Sequence, residues 1–410
     1  MSRLSLRRLA VAVAACLTSA LFCASAWAGP SAVSYHALPE VAGGTGTPVA
    51  VATGRLDGTG REDAVRLGRS GGGVVLTAFA AAPTGALTQV GSTTFPSLTE
   101  GAPASLAVAD LSGDGNLDAV VGTDRGYVVR YTGDGAGGFA QTSITPVPPA
   151  VGALIDSTIT DLAVADLNGD ATPDLVGTYA RNVALGSDGY VTLLTASGSF
   201  TVQTRNAFLT NPVAVAAGDL DDDGFDDVVA ANDGLVTDGI SVLLTNGTGG
   251  LAAPTDYDIA PLQGPTDVAV GDLDHDGALD TVTTTTGLLG LVDTVQARLG
   301  VGDGRLSPST NEVLSGQDPQ WVGLSDVTAN SFADALVLDQ STDELAVALS
   351  DGFGAFRPRV SFDVSGTTPL TGARGDFDGD GWADVVALMS DGGLSVTLHR
   401  TPVASPFVPA

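Results

Sequence analysis

The sequence predicts an all-β fold: a seven-bladed β-propeller of four-stranded antiparallel blades, its ring closed by an N-terminal strand that joins the last blade. Three observations carry this. An acidic nine-residue loop recurs seven times, each copy lies between short apolar runs, and a strand-like segment is left over at the N-terminus where the last unit lacks one.

The loops begin at positions 55, 110, 166, 219, 272, 326 and 376, so successive gaps are 55, 56, 53, 53, 54 and 50 residues. A near-fixed period of this length marks a repeat architecture. Five copies are full: ADLSGDGNLDAVV (109–121), ADLNGDATPDLVG (165–177), GDLDDDGFDDVVA (218–230), GDLDHDGALDTVT (271–283) and GDFDGDGWADVVA (375–387). Two are worn: GRLDGTGREDAVR (54–66) and SDVTANSFADALV (325–337).

Taken in chain order, residues 1–28 read as a signal peptide. Arg3, Arg7 and Arg8 precede an apolar stretch, and Ala26–Ala28 before Gly29 form a small-residue cleavage site. Residues 32–41 (AVSYHALPEV) form an orphan strand. Seven units follow, near 48–98, 103–155, 159–208, 212–262, 265–315, 319–366 and 369–400, with 403–410 as a tail; 29–402 is one domain.

Each unit has one internal order, seen well in the fourth. VAVAAGDL leads into the acidic loop, DVVAAN follows, then ISVLLTN, a Gly-rich turn GTGG, and the more polar TDYDIA. Runs of four to eight residues rich in β-branched side chains and bounded by Gly, Asn and Asp are strands. Four antiparallel strands per unit with no helix between units make a blade. The last unit ends after its third strand, so the orphan strand completes it and leaves no free sheet edge. An open solenoid would need polar caps at both ends, and none is visible.

Composition bounds function. Both cysteines (Cys16, Cys23) leave with the leader, so the exported chain has no disulfide. All 17 basic residues are Arg, three of them in the leader, leaving 47 acidic groups against 14 basic ones. That balance excludes nucleic acid, whose phosphates need a basic face. No stretch after the leader is long and apolar enough to span a bilayer. A monomer is expected.

So many carboxylates repel one another unless a cation lies among them. Positions 1, 3, 5 and 9 of the loops are Asp110, Ser112, Asp114 and Asp118 in the second copy, and Asp166, Asn168, Asp170 and Asp174 in the third. They are Asp219, Asp221, Asp223 and Asp227 in the fourth, Asp272, Asp274, Asp276 and Asp280 in the fifth, and Asp376, Asp378, Asp380 and Asp384 in the seventh. Position 7 adds a backbone carbonyl from Asn116, Thr172, Phe225, Ala278 or Trp382. An all-oxygen shell on a tight loop suits Ca²⁺, whereas Mg²⁺ demands a stricter octahedron and Zn²⁺ or copper would use His or Cys. About five Ca²⁺ sites are expected. Asp and Gly also populate ordinary surface turns, but five copies in phase with a strand repeat argue for metal. An EF-hand is excluded, because position 12 is an apolar strand residue and not Glu. In the worn copies Arg55 replaces the first acid, and Ser331 stands where Gly is usual, which leaves metal binding at 55–63 and 326–334 open.

D-x-D-x-D-G-x-x-D between apolar strands, followed by a DGxGxF turn (GDGAGGF 133–139, SDGFGAF 350–356), resembles the FG-GAP/VCBS repeat of integrin-α-type propellers and secreted bacterial proteins. The resemblance implies calcium ligation at positions 1, 3, 5 and 9, with the carbonyl at 7. It implies much less about activity, since such propellers serve as adhesion modules, as lectins and within polysaccharide lyases.

The loops between second and third strands and between blades share the face opposite the acidic loops and vary most, at 145–158, 178–189, 231–239 and 284–294. Variable loops over a rigid ring are where recognition is expected, so a protein or glycan at a cell surface is the expected partner. Trp321, Trp382, Tyr127, Tyr131 and Tyr190 are read as packing residues. With only His36, His275 and His399, no Lys and no thiol after the leader, no nucleophile–base pair is evident, and the chain is expected not to be an enzyme. The alternative is a lectin or a polysaccharide lyase-like enzyme with its site on the opposite face or in the central channel, although no carboxylate pair outside the acidic loops announces one.

Overall fold

The computed structural model describes residues 33–96, 99–147, 157–181, 188–196, 199–209, 211–234, 239–259, 263–287, 293–308, 311–314 and 318–400. The leader, the tail and parts of all four variable loops lie outside the described residues. Twenty-eight strands, and no helix among the described residues, make seven four-stranded sheets.

Strand β1 is Ser34–Ala37. Blade one comprises β2 (Thr47–Gly54), β3 (Asp63–Ser70), β4 (Gly73–Ala81) and β5 (Leu87–Thr94). Blade two comprises β6 (Pro103–Ala109), β7 (Asp118–Thr123), β8 (Tyr127–Gly133) and β9 (Phe139–Pro146). Blade three comprises β10 (Ser157–Ala165), β11 (Asp174–Arg181), β12 (Asp188–Ala196) and β13 (Ser199–Leu209). Blade four comprises β14 (Pro212–Gly218), β15 (Asp227–Asn232), β16 (Gly239–Leu243) and β17 (Thr255–Asp258). Blade five comprises β18 (Gln263–Gly271), β19 (Asp280–Gly287), β20 (Thr294–Arg298) and β21 (Asn311–Leu314). Blade six comprises β22 (Pro319–Ser325), β23 (Asp334–Asp339), β24 (Glu344–Ala348) and β25 (Val360–Asp363). Blade seven is β26 (Pro369–Gly375), β27 (Asp384–Met389) and β28 (Leu394–Arg400), with β1 as its outer strand.

The closing strand is tied in by Leu38 N–H to Val396 O at 2.8 Å and by reciprocal 2.9 Å bonds between Val41 and Leu394. Inner strands neighbour one another in cyclic order, with β26 beside β2, so the seven blades form a ring as the sequence predicts.

Burial explains the strand composition. The second strands of blades two, four, six and seven are buried at every residue, which is why they read as continuous apolar runs and not as an alternation. Outer strands such as Thr255–Asp258 are largely exposed and polar. The core lies between blades. Leu56, Val65 and Leu76 of blade one pack with Leu106, Ala119 and Tyr131 of blade two. Phe79 and Leu87 of blade one pack with Phe377, Val386 and Leu398 of blade seven, sealing the ring.

The Gly-rich turns belong to the same packing. In blade four a Cβ at Gly247 would lie 2.7 Å from the Phe225 ring, and one at Gly249 would lie 2.4 Å from Leu194 of the preceding blade. The first glycine admits the acidic loop of its own blade and the second admits the neighbouring blade, both at positive φ.

Every inner strand carries a bulge near its start, usually just after a proline, for example between Pro212 and Ala214. The inner strands surround an axial channel, with a cavity of about 770 Å³ toward the acidic-loop end and one of about 350 Å³ toward the other.

Candidate metal centres

Each acidic loop is first a backbone hydrogen-bond device. The position 1 carboxylate accepts from the amides of later loop residues: Asp376 takes Gly379 at 2.7 Å, Asp380 at 3.0 Å and Gly381 at 2.9 Å. Asp110, Asp166, Asp219, Asp272 and Asp326 repeat the arrangement. The position 5 carboxylate accepts the amide of position 7, in Asp114–Asn116, Asp170–Thr172, Asp223–Phe225, Asp276–Ala278 and Asp380–Trp382, at 2.8–3.0 Å. To wrap in this way the chain enters left-handed backbone at positions 4 and 6. Gly serves at many of these, but Asp222, His275 and Ala329 occupy position 4, and Ala171 and Ser331 occupy position 6.

Position 9 is a buried clasp. Asp227 accepts Leu220 N–H at 3.0 Å and Thr245 N–H at 2.8 Å, fastening the loop to the end of the third strand. Asp63, Asp174, Asp280, Asp334 and Asp384 do the same in their blades. Asp118 departs from the pattern: Gly133 N–H takes one oxygen at 3.1 Å, and the buried Arg130 guanidinium holds the other at 2.6 Å. Its position 9 already has a cation, which the loop spacing did not foreshadow.

Carboxylates converge in three loops. One oxygen each from Asp219, Asp221 and Asp227, from Asp272, Asp274 and Asp276, and from Asp376, Asp378 and Asp384 lies within 4.8 Å of the others in its group. In loops two and three position 3 is Ser112 and Asn168, so their acids are limited to positions 1, 5 and 9. Ser112 Oγ donates to Asp110 at 3.3 Å, and Asn168 Nδ2 donates to Asp170 at 3.1 Å.

The donor set fits a hard cation. Asp221 Oδ1 is buried without a hydrogen-bond partner. The Asp221 and Asp274 carboxyls are pushed up, first by burial and then by the charges of Asp223 and Asp276. Burial likewise pushes Asp174 and Asp227 up to about 6, and Asp280 and Asp384 up to about 7. Asp114 and Asp170 move the other way, chiefly through the amide bonds from Asn116 and Thr172. Each carboxylate that accepts one or two amides keeps lone pairs for a further partner.

The worn loops keep the scaffold with fewer charges. Arg55 pairs with Glu62 at 3.3 Å, while Asp57 accepts Thr59 N–H and is lowered first by the Thr59 side chain, then by that amide bond and by Arg61. In blade six Thr328 Oγ1 is buried without a hydrogen-bond partner, and Asn330 accepts Phe332 N–H at 2.9 Å.

Aromatic residues divide. Tyr131 and Tyr190 are core residues. Trp382 stacks on His399 at 4.7 Å, and His399 meets Tyr35 edge-on at 5.2 Å. Trp321 instead lines both cavities of the channel. Two acids not foreseen from the sequence, Asp161 and Asp267, lie on the wall of the smaller cavity only.

A family model described as an FG-GAP-like repeat matches residues 113–177 and 219–283. No curated protein matches the chain by sequence. Among solved structures, BBS1N from its complex with ARL6DN, in a crystal soaked with lead, is similar with a TM-score of 0.58 at 14% identity, covering 90% of this chain and 98% of that one. The WD40 domain of Toxoplasma gondii coronin has a TM-score of 0.60 at 10% identity, covering 92% and 88%. The Dos1 propeller has 0.56 at 9% identity, covering 88% and 95%. These likenesses concern the fold alone. The repeat match, the acidic loop in its blade setting and the ring together make the chain a seven-bladed β-propeller that carries FG-GAP-like repeats.

Proposed function

We propose that the chain is a secreted, calcium-stabilised binding module of the adhesion type, acting as a monomer on an extracellular protein or glycan. The observation that carries the calcium reading is the convergence of three carboxylates within 4.8 Å in each of three loops, one with a buried, unpartnered oxygen. Positions 1, 3, 5 and 9 would hold the ion, with the carbonyl at position 7. Bound calcium would supply the positive charge that lets these groups stay ionised together. No helix among the described residues is long and apolar enough to cross a membrane.

The scaffold sets where recognition happens. Acidic loops and Gly-rich turns share one face, so the second–third strand loops and the blade connections share the other. Elemental analysis after calcium dialysis tests the metal, and fewer than about three ions per chain defeats it. A glycan array and an extract pulldown, each with calcium and with chelator, test the partner; no calcium-dependent capture in either defeats the adhesion reading.

Asp161 and Asp267 favour one alternative, a polysaccharide lyase-like site in the channel. Among the described residues no His, Tyr or Arg lines that cavity to share proton transfer with them, which supports binding over turnover. New unsaturated products from a polysaccharide panel would reverse that preference.

A further inference from the structure

We propose that the channel, at the end away from the acidic loops, binds a small organic cation, an alkylammonium or guanidinium group, between Asp161, Asp267 and Trp321. The inference adds to the recognition reading without resting on it.

The bulge in each inner strand re-aims side chains toward the axis. Register shifts fall between Ile159 and Asp161, between Pro265 and Asp267 and between Pro319 and Trp321. The residue after the bulge therefore sits at one level in every blade. There, two carboxylates and an indole stand among Ser105, Thr371 and two alanines, around a cavity of about 350 Å³ lined by all seven inner strands. The bulges are near the strand starts and the acidic loops follow the strand ends, so this chamber belongs to the opposite face.

Backbone amides aim both carboxylates. Asp161 accepts Leu162 N–H at 2.8 Å and Val215 N–H at 2.9 Å, and Asp267 accepts Val268 N–H at 2.8 Å and Val322 N–H at 2.9 Å. Each oxygen takes one amide and keeps a lone pair. A clasp between blades does not require charge: Ser105 Oγ bonds Ile159 O of the next blade at 3.0 Å with a neutral hydroxyl. Among the described residues no cationic side chain lines the cavity, and the sequence contains no lysine. Asp267 is pushed up to about 8, chiefly by burial and then by the charge of Asp161, so the two acids sense each other across the chamber.

Size and shape select the ligand. A water takes about 30 Å³, so the chamber is too large for a bare ion and suits a cation of several heavy atoms. Trp321 supplies the face for cation–π contact. Gly323 and Gly372 make room for the indole, since a Cβ there would come within 2.5 Å and 3.2 Å of it.

The test is calorimetric titration of the full chain with methylguanidinium chloride at about pH 9, where Asp267 is ionised, in saturating calcium and physiological salt. Saturable binding is expected. Asp161→Asn and Asp267→Asn should each weaken it at least about tenfold, Trp321→Leu should weaken it too, and Asp258→Asn on the exposed outer strand of blade four should leave it unchanged. Thermal melting confirms that each variant folds. Absence of saturable binding, indifference to the channel variants, or equal loss in Asp258→Asn overturns the proposal. A blocked Gly-Arg-Gly peptide separates the sources: binding as tight as methylguanidinium indicates a side chain offered by a protein, and exclusion of the peptide indicates a free amine. Failed glycan and pulldown assays leave this result standing, and its failure leaves theirs.

Discussion

Asp221→Asn should change the stability of the propeller with opposite sign in calcium and in chelator. Asp221 offers its oxygen within 4.8 Å of oxygens from Asp219 and Asp227. At that separation one pair of charges repels by about 1 kcal/mol at the dielectric of water and about 3 kcal/mol at an effective value of 20. The loop is at the surface, so the lower figure applies. Removing the charge without metal should therefore stabilise the fold by about 1 kcal/mol. Calcium at about 100 times its dissociation constant adds about 2.7 kcal/mol per site, and losing that site forfeits it. In a chain of this size about 1 kcal/mol moves the melting temperature by roughly 1–2 °C. Calorimetry should thus show a fall of about 2–3 °C in calcium, where the relieved repulsion offsets part of the lost binding, and a rise of about 1–2 °C in chelator. An equal fall in both media would refute the reasoning, because Asp221 would then be a structural hydrogen-bond acceptor and not a ligand.

Asp63→Ala removes the acceptor of two buried amides, Leu56 and Ala81, each at 2.8 Å, in a loop whose first position is Arg55. Denaturant unfolding should show a loss of about 2–4 kcal/mol that is the same with and without calcium. Ala171 has φ of 61° where five of the other six loops have glycine, so Ala171→Gly should raise stability by about 1 kcal/mol in the same assay. Asp267, with its folded value raised above the ordinary 3.8 to about 8, lends stability that is complete below pH 4 and is lost as pH rises through 8. Asp267→Asn should therefore flatten the decline in stability measured between pH 5 and 8 in saturating calcium. The expected size is about 1–3 kcal/mol, because water in the channel reaches the carboxyl and screens part of the full shift.

The ring was legible because each blade repeats one strand–loop–strand signal, and a missing outer strand after Leu394–Arg400 matched the spare segment around Tyr35. The carboxylates that converge in the fourth, fifth and seventh loops were legible for the same reason. What lay hidden depends on contacts between distant residues. Arg130 enters the second loop from a strand twelve residues beyond Asp118, and nothing in its own run marks it as a counter-charge. Left-handed backbone at position 4 is masked because Asp222, His275 and Ala329 share it with glycines. The channel acids did leave a trace: Thr160-Asp161-Leu162-Ala163-Val164 and Thr266-Asp267-Val268-Ala269-Val270 each end just before an acidic loop. Aligning the repeats would have shown a charge twice at the same inner-strand position. Read singly, each looks like one polar residue in a run of strand.

The acidic loop is two devices laid over each other, and the seven copies separate them. Position 9 is Asp in every blade, including Asp63 and Asp334, whose loops have lost acids elsewhere. It accepts at least one backbone amide in all seven, with Arg130 on the second oxygen of Asp118, so what it secures is the hairpin itself. Position 3 is Asp only at 57, 221, 274 and 378, and three of those four belong to the groups where carboxylates converge. The fourth, Asp57, has Arg55 in place of the first acid. A metal would thus be an addition to a loop whose path is already fixed by amide–carboxylate bonds, and chelation should loosen the ring without changing its topology. That separation is why a single charge at position 3 can be removed as a clean test of the ion, whereas the same substitution at position 9 cannot.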